Sequence, residues 1–147
     1  MRDATAITNL LYRYAELIDS GDFDGVGKLY AHARLKILGD QTLSGEEFAQ
    51  TLAETTIRYP DNGTPHTKHV TTNAIVEFDS DTKARARSYY TVFQQVGDSA
   101  LQPVIAGRYH DRFEYVDGEW RFAERDYTLV DLIGDLSRHL TMEVPRP

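Results

Sequence analysis

Asp19 and His69 are the two residues whose types and settings most readily support chemistry. Asp19 lies in the stretch Tyr14-Ala15-Glu16-Leu17-Ile18-Asp19-Ser20-Gly21-Asp22, where an amphipathic pattern runs out. An acid in the last turn of a helix faces the negative end of the macrodipole, a loss of up to about 1 kcal/mol. An acid kept in that position needs a partner, and an imidazole can supply one. His69 opens the β-rich run His69-Val70-Thr71-Thr72-Asn73-Ala74-Ile75-Val76-Glu77-Phe78. A carboxylate that holds one tautomer of a histidine and stabilises its cation makes that histidine a general base near neutral pH. Taken singly, each residue has a plainer reading. Asp19 would be a solvated turn residue, and His69 a satisfied strand histidine.

The elements that carry the pair can be read from periodicity. Asp3 is a candidate N-cap for a first helix, whose apolar positions Ile7, Leu10, Leu11, Tyr14, Leu17 and Ile18 follow the 3.6-residue period. Gly21 supplies a left-handed C-cap, and Asp22 can cap a second, shorter helix carrying Phe23, Val26, Leu29 and Tyr30. Leu35-Lys36-Ile37-Leu38 reads as a short strand closed by Gly39-Asp40. Ser44-Gly45-Glu46-Glu47 is a capping box, so a third helix should run towards Tyr59 and stop before Pro60. From His66 the period becomes two. Strands are predicted over His66 to Phe78, Lys83 to Val96, Gln102 to Val116 and Trp120 to Leu129, with Asp117-Gly118 as a hairpin turn. Val130 to Leu140 is expected to be a short helix, followed by a frayed tail.

Composition narrows the function classes. At 147 residues the chain is expected to be one domain, spanning 1–147. A formal charge of -7 with no basic run argues against nucleic-acid binding. No apolar stretch approaches the roughly 20 residues of a membrane span, so a cytoplasmic protein is the default expectation. With no cysteine, disulfides, thiol catalysis and thiolate metal sites are excluded. His66 and His69 have a metal-like spacing, but three residues along a strand point to opposite faces. Gly25-Val26-Gly27 lacks the third glycine and the preceding strand of a dinucleotide loop. No serine sits in a nucleophile elbow.

Helices first and long antiparallel strands after them define an α+β domain. A curved sheet wrapped around a long helix leaves a small-molecule cavity between them. In Arg87-Ser88-Tyr89-Tyr90-Thr91-Val92-Phe93 both alternating faces carry bulky groups. The outer sheet face should therefore pack as well, most simply against a second copy in a homodimer.

Several segments together resemble the SnoaL-like branch of the nuclear transport factor 2-like superfamily. They are Leu11 to Asp22, then Lys68-His69 with Asn73, then Gly107-Arg108-Tyr109-His110-Asp111, and finally Asp117-Gly118-Glu119-Trp120-Arg121-Phe122. The resemblance implies a cystatin-like cone, with N-terminal helices packed in a strongly curved antiparallel sheet that encloses a pocket. The superfamily hosts dehydratases, cyclases, isomerases, dehydrochlorinases and non-enzymes. Asp19 and His69 are similar in position to the dyad of scytalone dehydratase, hexachlorocyclohexane dehydrochlorinase and the bile-acid dehydratases, all of which carry out eliminations. Tyr14 matches a polar position of those sites, and Arg125 a functional arginine of the dehydrochlorinase. The first helix also resembles that of ketosteroid isomerase, but that enzyme's base would fall near Leu38, which cannot take a proton.

The resemblance therefore implies a cofactor-independent, metal-free lyase, a dehydratase or cyclase, acting on a small, largely apolar cyclic substrate. His69 is expected to take the proton and Asp19 to orient it. Tyr14 would hydrogen-bond a carbonyl or departing oxygen, and Arg125 would balance negative charge. Asn73, His110 and Tyr127 are the candidate substrate-binding residues. Arg125 carries an internal conflict. A two-residue turn at Asp117-Gly118 pairs Val116 with Glu119, Phe113 with Phe122 and His110 with Arg125. Arg125 would then point away from the aromatic face, a conflict that a β-bulge or a dimer on the aromatic face would remove. The alternative is a non-catalytic ligand-binding or assembly subunit, as in the β subunits of aromatic-ring dioxygenases. An epoxide hydrolase would need a carboxylate-rich pocket, which the sequence does not display.

Overall fold

In the computed structural model, which describes residues 2–147, the first helix α1 spans Ala4–Asp19 and starts on Asp3, whose side chain accepts from the Ala6 N–H. Its end is a Schellman closure. Gly21 N–H bonds the Ile18 carbonyl, Asp22 N–H bonds the Leu17 carbonyl, and Gly21 has φ 76°. Asp22 then caps α2, Phe23–Leu29. Strand β1, Arg34–Ile37, folds back on β2, Gln41–Leu43, and Ser44 and Glu47 form the capping box of α3, Gly45–Thr55. That helix stops short of Tyr59, because Thr56 adopts an extended conformation and bridges Leu140.

The remaining strands are β3, Thr67–Phe78; β4, Lys83–Gln94; β5, Gln102–Val116; β6, Glu119–Asp126; and β7, Val130–Ile133. The sheet order is β2-β1-β6-β5-β4-β3, with β7 beside β5. Two features differ from the sequence reading. β1 pairs with β6 in parallel, so the curved, unclosed sheet is mixed rather than wholly antiparallel. Val130 to Ile133 is a strand, not the start of a helix, because the long β5 leaves its N-terminal half open to pair with it. Asp117 and Gly118 both have positive φ, as a type I′ hairpin requires.

The inner face of the sheet packs on the α1 stripe of Ile7, Leu11, Tyr14 and Ile18, all buried. Each fully buried side chain of this size stabilises by about 1.5–3 kcal/mol relative to exposure. The stripe holds α1 against the sheet with its C-terminal end over the start of β3. That geometry delivers Asp19 to His69.

Candidate active site

Asp19 is held by three donors. Its Oδ1 accepts from the Thr67 hydroxyl at 2.8 Å and lies 2.6 Å from His69 Nδ1, while Oδ2 accepts from the His69 backbone N–H at 2.8 Å. The acid at the unfavourable helix end is thus compensated by the opening residues of β3. An ionised carboxylate only accepts, so Nδ1 carries the imidazole proton and Nε2 is left as the basic nitrogen. The His69 and Asp19 side chains are only 7% and 11% exposed. They sit at an open cleft of about 820 Å³ that also involves Glu16, His66, Lys68 and Leu101.

Behind the dyad, tyrosine rings occupy the space between α1 and the sheet. Tyr14 meets the His69 ring edge-on at 5.9 Å and lies 6.2 Å from Tyr109 and 6.1 Å from Tyr127. Burial pushes the Tyr14 phenol up, against the opposing effects of Tyr127 and Arg125, so it stays a neutral donor. The Tyr30 and Tyr127 hydroxyls are 2.7 Å apart.

The conflict over Arg125 is resolved by a β-bulge. Val116 pairs with Glu119 and Phe113 with Phe122, as predicted, but the register then shifts, and Ala123 is the extra residue. Asp111 faces Arg125, and His110 faces Asp126. Arg125 therefore turns inward, fully buried, and makes a bidentate pair with Asp111: Nε to Oδ1 at 2.7 Å and Nη2 to Oδ2 at 2.9 Å. Its guanidinium lies 3.7 Å from the Tyr109 ring centroid and 4.8 Å from that of Tyr14. Burial pushes the Asp111 carboxyl up, and the adjacent guanidinium opposes this. Nη1 of Arg125 has no hydrogen-bond partner among the described residues.

The other candidates divide by face. Tyr127 is inside, stacked on Phe48 at 4.8 Å. Asn73 and His110 are not with the dyad. Asn73 is a left-handed residue, φ 39°, in the β3 bulge, and its side chain accepts from the Thr72 hydroxyl. The strand alternation that buries Tyr109 and Asp111 turns His110 outward, beside Arg87 and Asn73 on the outer face. His66 pairs with Asp61 through Nε2 at 2.8 Å, so each histidine of the His66/His69 spacing has its own carboxylate.

Three residues escaped the sequence reading. Thr67 shares a strand face with His69, a relation that period-two spacing carries. Asp111, two positions from Tyr109 on an inward face, was a charge on an apolar stripe. His139 gave no usable signal, because its segment read as a helix. It is 6% exposed, and its ring lies 6.3 Å from that of His69.

The geometry defines a class: a helix-in-sheet α+β cone with a buried acid–histidine pair where the helix meets the sheet. The SnoaL-like domain family matches residues 1–126, and the chain belongs to it. No curated protein sequence matches. Among solved structures, the chain is similar to LinA at 22% identity and TM-score 0.67, over 97% of this chain and 92% of that one. It is similar to a provisionally assigned scytalone dehydratase from Novosphingobium aromaticivorans at 20% identity and TM-score 0.65, over 93% and 83%. It is also similar to the β subunit of a provisionally assigned aromatic-ring-hydroxylating dioxygenase from the same organism, at 18% identity and TM-score 0.69, over 88% and 90%. At these identities the likeness shows the cystatin-like fold alone. No helix among the described residues is long and apolar enough to cross a membrane.

Proposed function

We propose that this protein is a general-base lyase that eliminates water from a small, largely apolar cyclic substrate. The observation that carries the reading is the 2.6 Å contact between Asp19 and His69 Nδ1, fixed by two further hydrogen bonds to the same carboxylate. His69 Nε2 takes a proton from carbon, and the C–H electrons form the new C=C bond as the C–O bond breaks. The departing hydroxide leaves with the removed proton as water, so the protein ends the turnover unchanged. Tyr14, a neutral phenol beside His69, hydrogen-bonds the oxygen on which charge develops. Arg125, with its charge largely answered by Asp111, keeps Nη1 free to support that oxygen through the tyrosine cluster. Ring closure that begins with the same proton abstraction uses the same groups.

The test is substrate consumption by the purified protein against a panel of cyclic β-hydroxy carbonyl compounds. His69→Ala and Asp19→Asn should each lower the elimination rate by roughly 10²–10⁴-fold. Rates within about threefold of wild type would remove the dyad from the mechanism.

A second reading, a non-catalytic assembly subunit, draws on the likeness to a dioxygenase β subunit and on the exposed outer face. Val70, Thr91, Ala106 and Leu132 are aligned across β3, β4, β5 and β7 by the strand registers, and Tyr89 lies next to them. On the lyase reading this row is the homodimer interface. Co-purification with a large iron–sulfur subunit would favour assembly instead.

A further inference from the structure

The C-terminal segment crosses the site end of the cone and is tied on both sides. The Ile57 N–H bonds the His139 carbonyl at 2.9 Å, and the Thr141 N–H bonds the Thr55 carbonyl at 2.8 Å. The buried Gln94 amide donates to the Arg138 carbonyl at 3.0 Å. These bonds fix the backbone on either side of His139. Its ring is thereby set tilted against that of His69, with 69° between the planes. Yet Nδ1 of His139 is buried with no hydrogen-bond partner among the described residues. An imidazole nitrogen taken from water and left unpaired is costly, and buried polar atoms of this kind are paired by protein, water or ligand.

We propose that His139 is a specificity-determining substrate-binding residue, whose free Nδ1 hydrogen-bonds a hydroxyl or carbonyl oxygen of the molecule held beside His69. This rests on the lyase reading of the Asp19–His69 dyad and names its substrate class: an oxygenated ring rather than a bare or halogenated hydrocarbon. Neutral imidazole suits the role because it can either donate or accept. Burial, and then the neighbouring His69, push the His139 imidazole down to about 4, against a weaker opposing effect of Asp19, so at neutral pH it is uncharged.

The test uses matched probes on the full chain at neutral pH: 2-naphthol, naphthalene and 2-chloronaphthalene, titrated to equilibrium. Wild type should bind 2-naphthol roughly tenfold more tightly than the other two. His139→Phe should abolish that preference while leaving naphthalene affinity within about threefold. His139→Asn, which returns a polar atom near the Nδ1 position, should restore most of it. Should His139→Phe fail to fold, the ¹⁵N resonance of His139 Nδ1 in wild type decides, since 2-naphthol should shift it and naphthalene should not. A wild type without the preference, a preference that survives in His139→Phe, or a resonance unmoved by 2-naphthol overturns the proposal. These readouts are of binding alone. A failed elimination assay with an intact naphthol preference would overturn the lyase reading and leave His139 as assigned.

Discussion

At the scale of single residues, the site is a set of ionisable groups whose partners decide what each can do. Asp19 would be a liability at the end of α1, but Thr67 and His69 supply it with three hydrogen bonds. Arg125 would be untenable without Asp111, since removing one partner of a buried pair leaves an uncompensated charge. His139 has the most direct consequence for stability. Above pH 6.5 it is neutral whether the chain is folded or not; below that, the unfolded chain binds a proton that the folded one refuses until about 4. Its contribution is therefore complete at neutral pH and is lost as pH falls from about 6.5 towards 4. Urea denaturation across that window should show wild type losing roughly 2–3 kcal/mol relative to a His139→Leu variant. Parallel pH profiles for the two proteins would show that His139 is as easily protonated folded as unfolded.

At the scale of elements, one extra residue in β6 decides which face Arg125 occupies. Side-chain direction alternates strictly along a strand, so a single insertion exchanges inside and outside for everything beyond it. Deleting Ala123 removes the extra residue, so Phe122 and Arg125 fall two positions apart and Arg125 should stay inward opposite Asp111 in an unbulged ladder. The expected result is a stability within about 1 kcal/mol of wild type by chemical denaturation, whereas Asp111→Ala, which does break the buried pair, should cost roughly 3–5 kcal/mol. A deletion variant that loses as much as Asp111→Ala would mean that the bulge does more than bring Arg125 into phase with the inward face. The helices were legible in sequence because caps and amphipathic stripes are local signals: Asp3, Gly21, Asp22 and the Ser44–Glu47 box all act as their types suggest. The bulge was open as one option in the sequence, but its position was not legible. Nothing in Phe122-Ala123-Glu124 marks it, and what favours it is the distant match of Arg125 to Asp111. β7 was likewise misread, because its strand character comes from the open edge of β5.

At the scale of the whole molecule, the sheet is covered on one face and bare on the other. Tyr89 and Leu132 are 57% and 69% exposed, and with Val70 they form an apolar band among salt-bridged arginines. Tyr89→Glu with Leu132→Glu should convert the proposed dimer to monomers in sedimentation analysis, without changing the helix content. Unchanged association would place the interface elsewhere. The amino-acid sequence by itself determined the α+β class, the first helix and its caps, and the Asp117-Gly118 hairpin, since each is written in neighbouring residues or a short period. Tertiary structure alone decided that Asp19 meets His69, that Arg125 faces inward against Asp111, that Asn73 and His110 face outward, and that the His139 ring lies near that of His69. Those outcomes depend on register, on strand edges and on where a distant segment crosses the cone. Such relations arise only when separated stretches of chain compete for the same buried space.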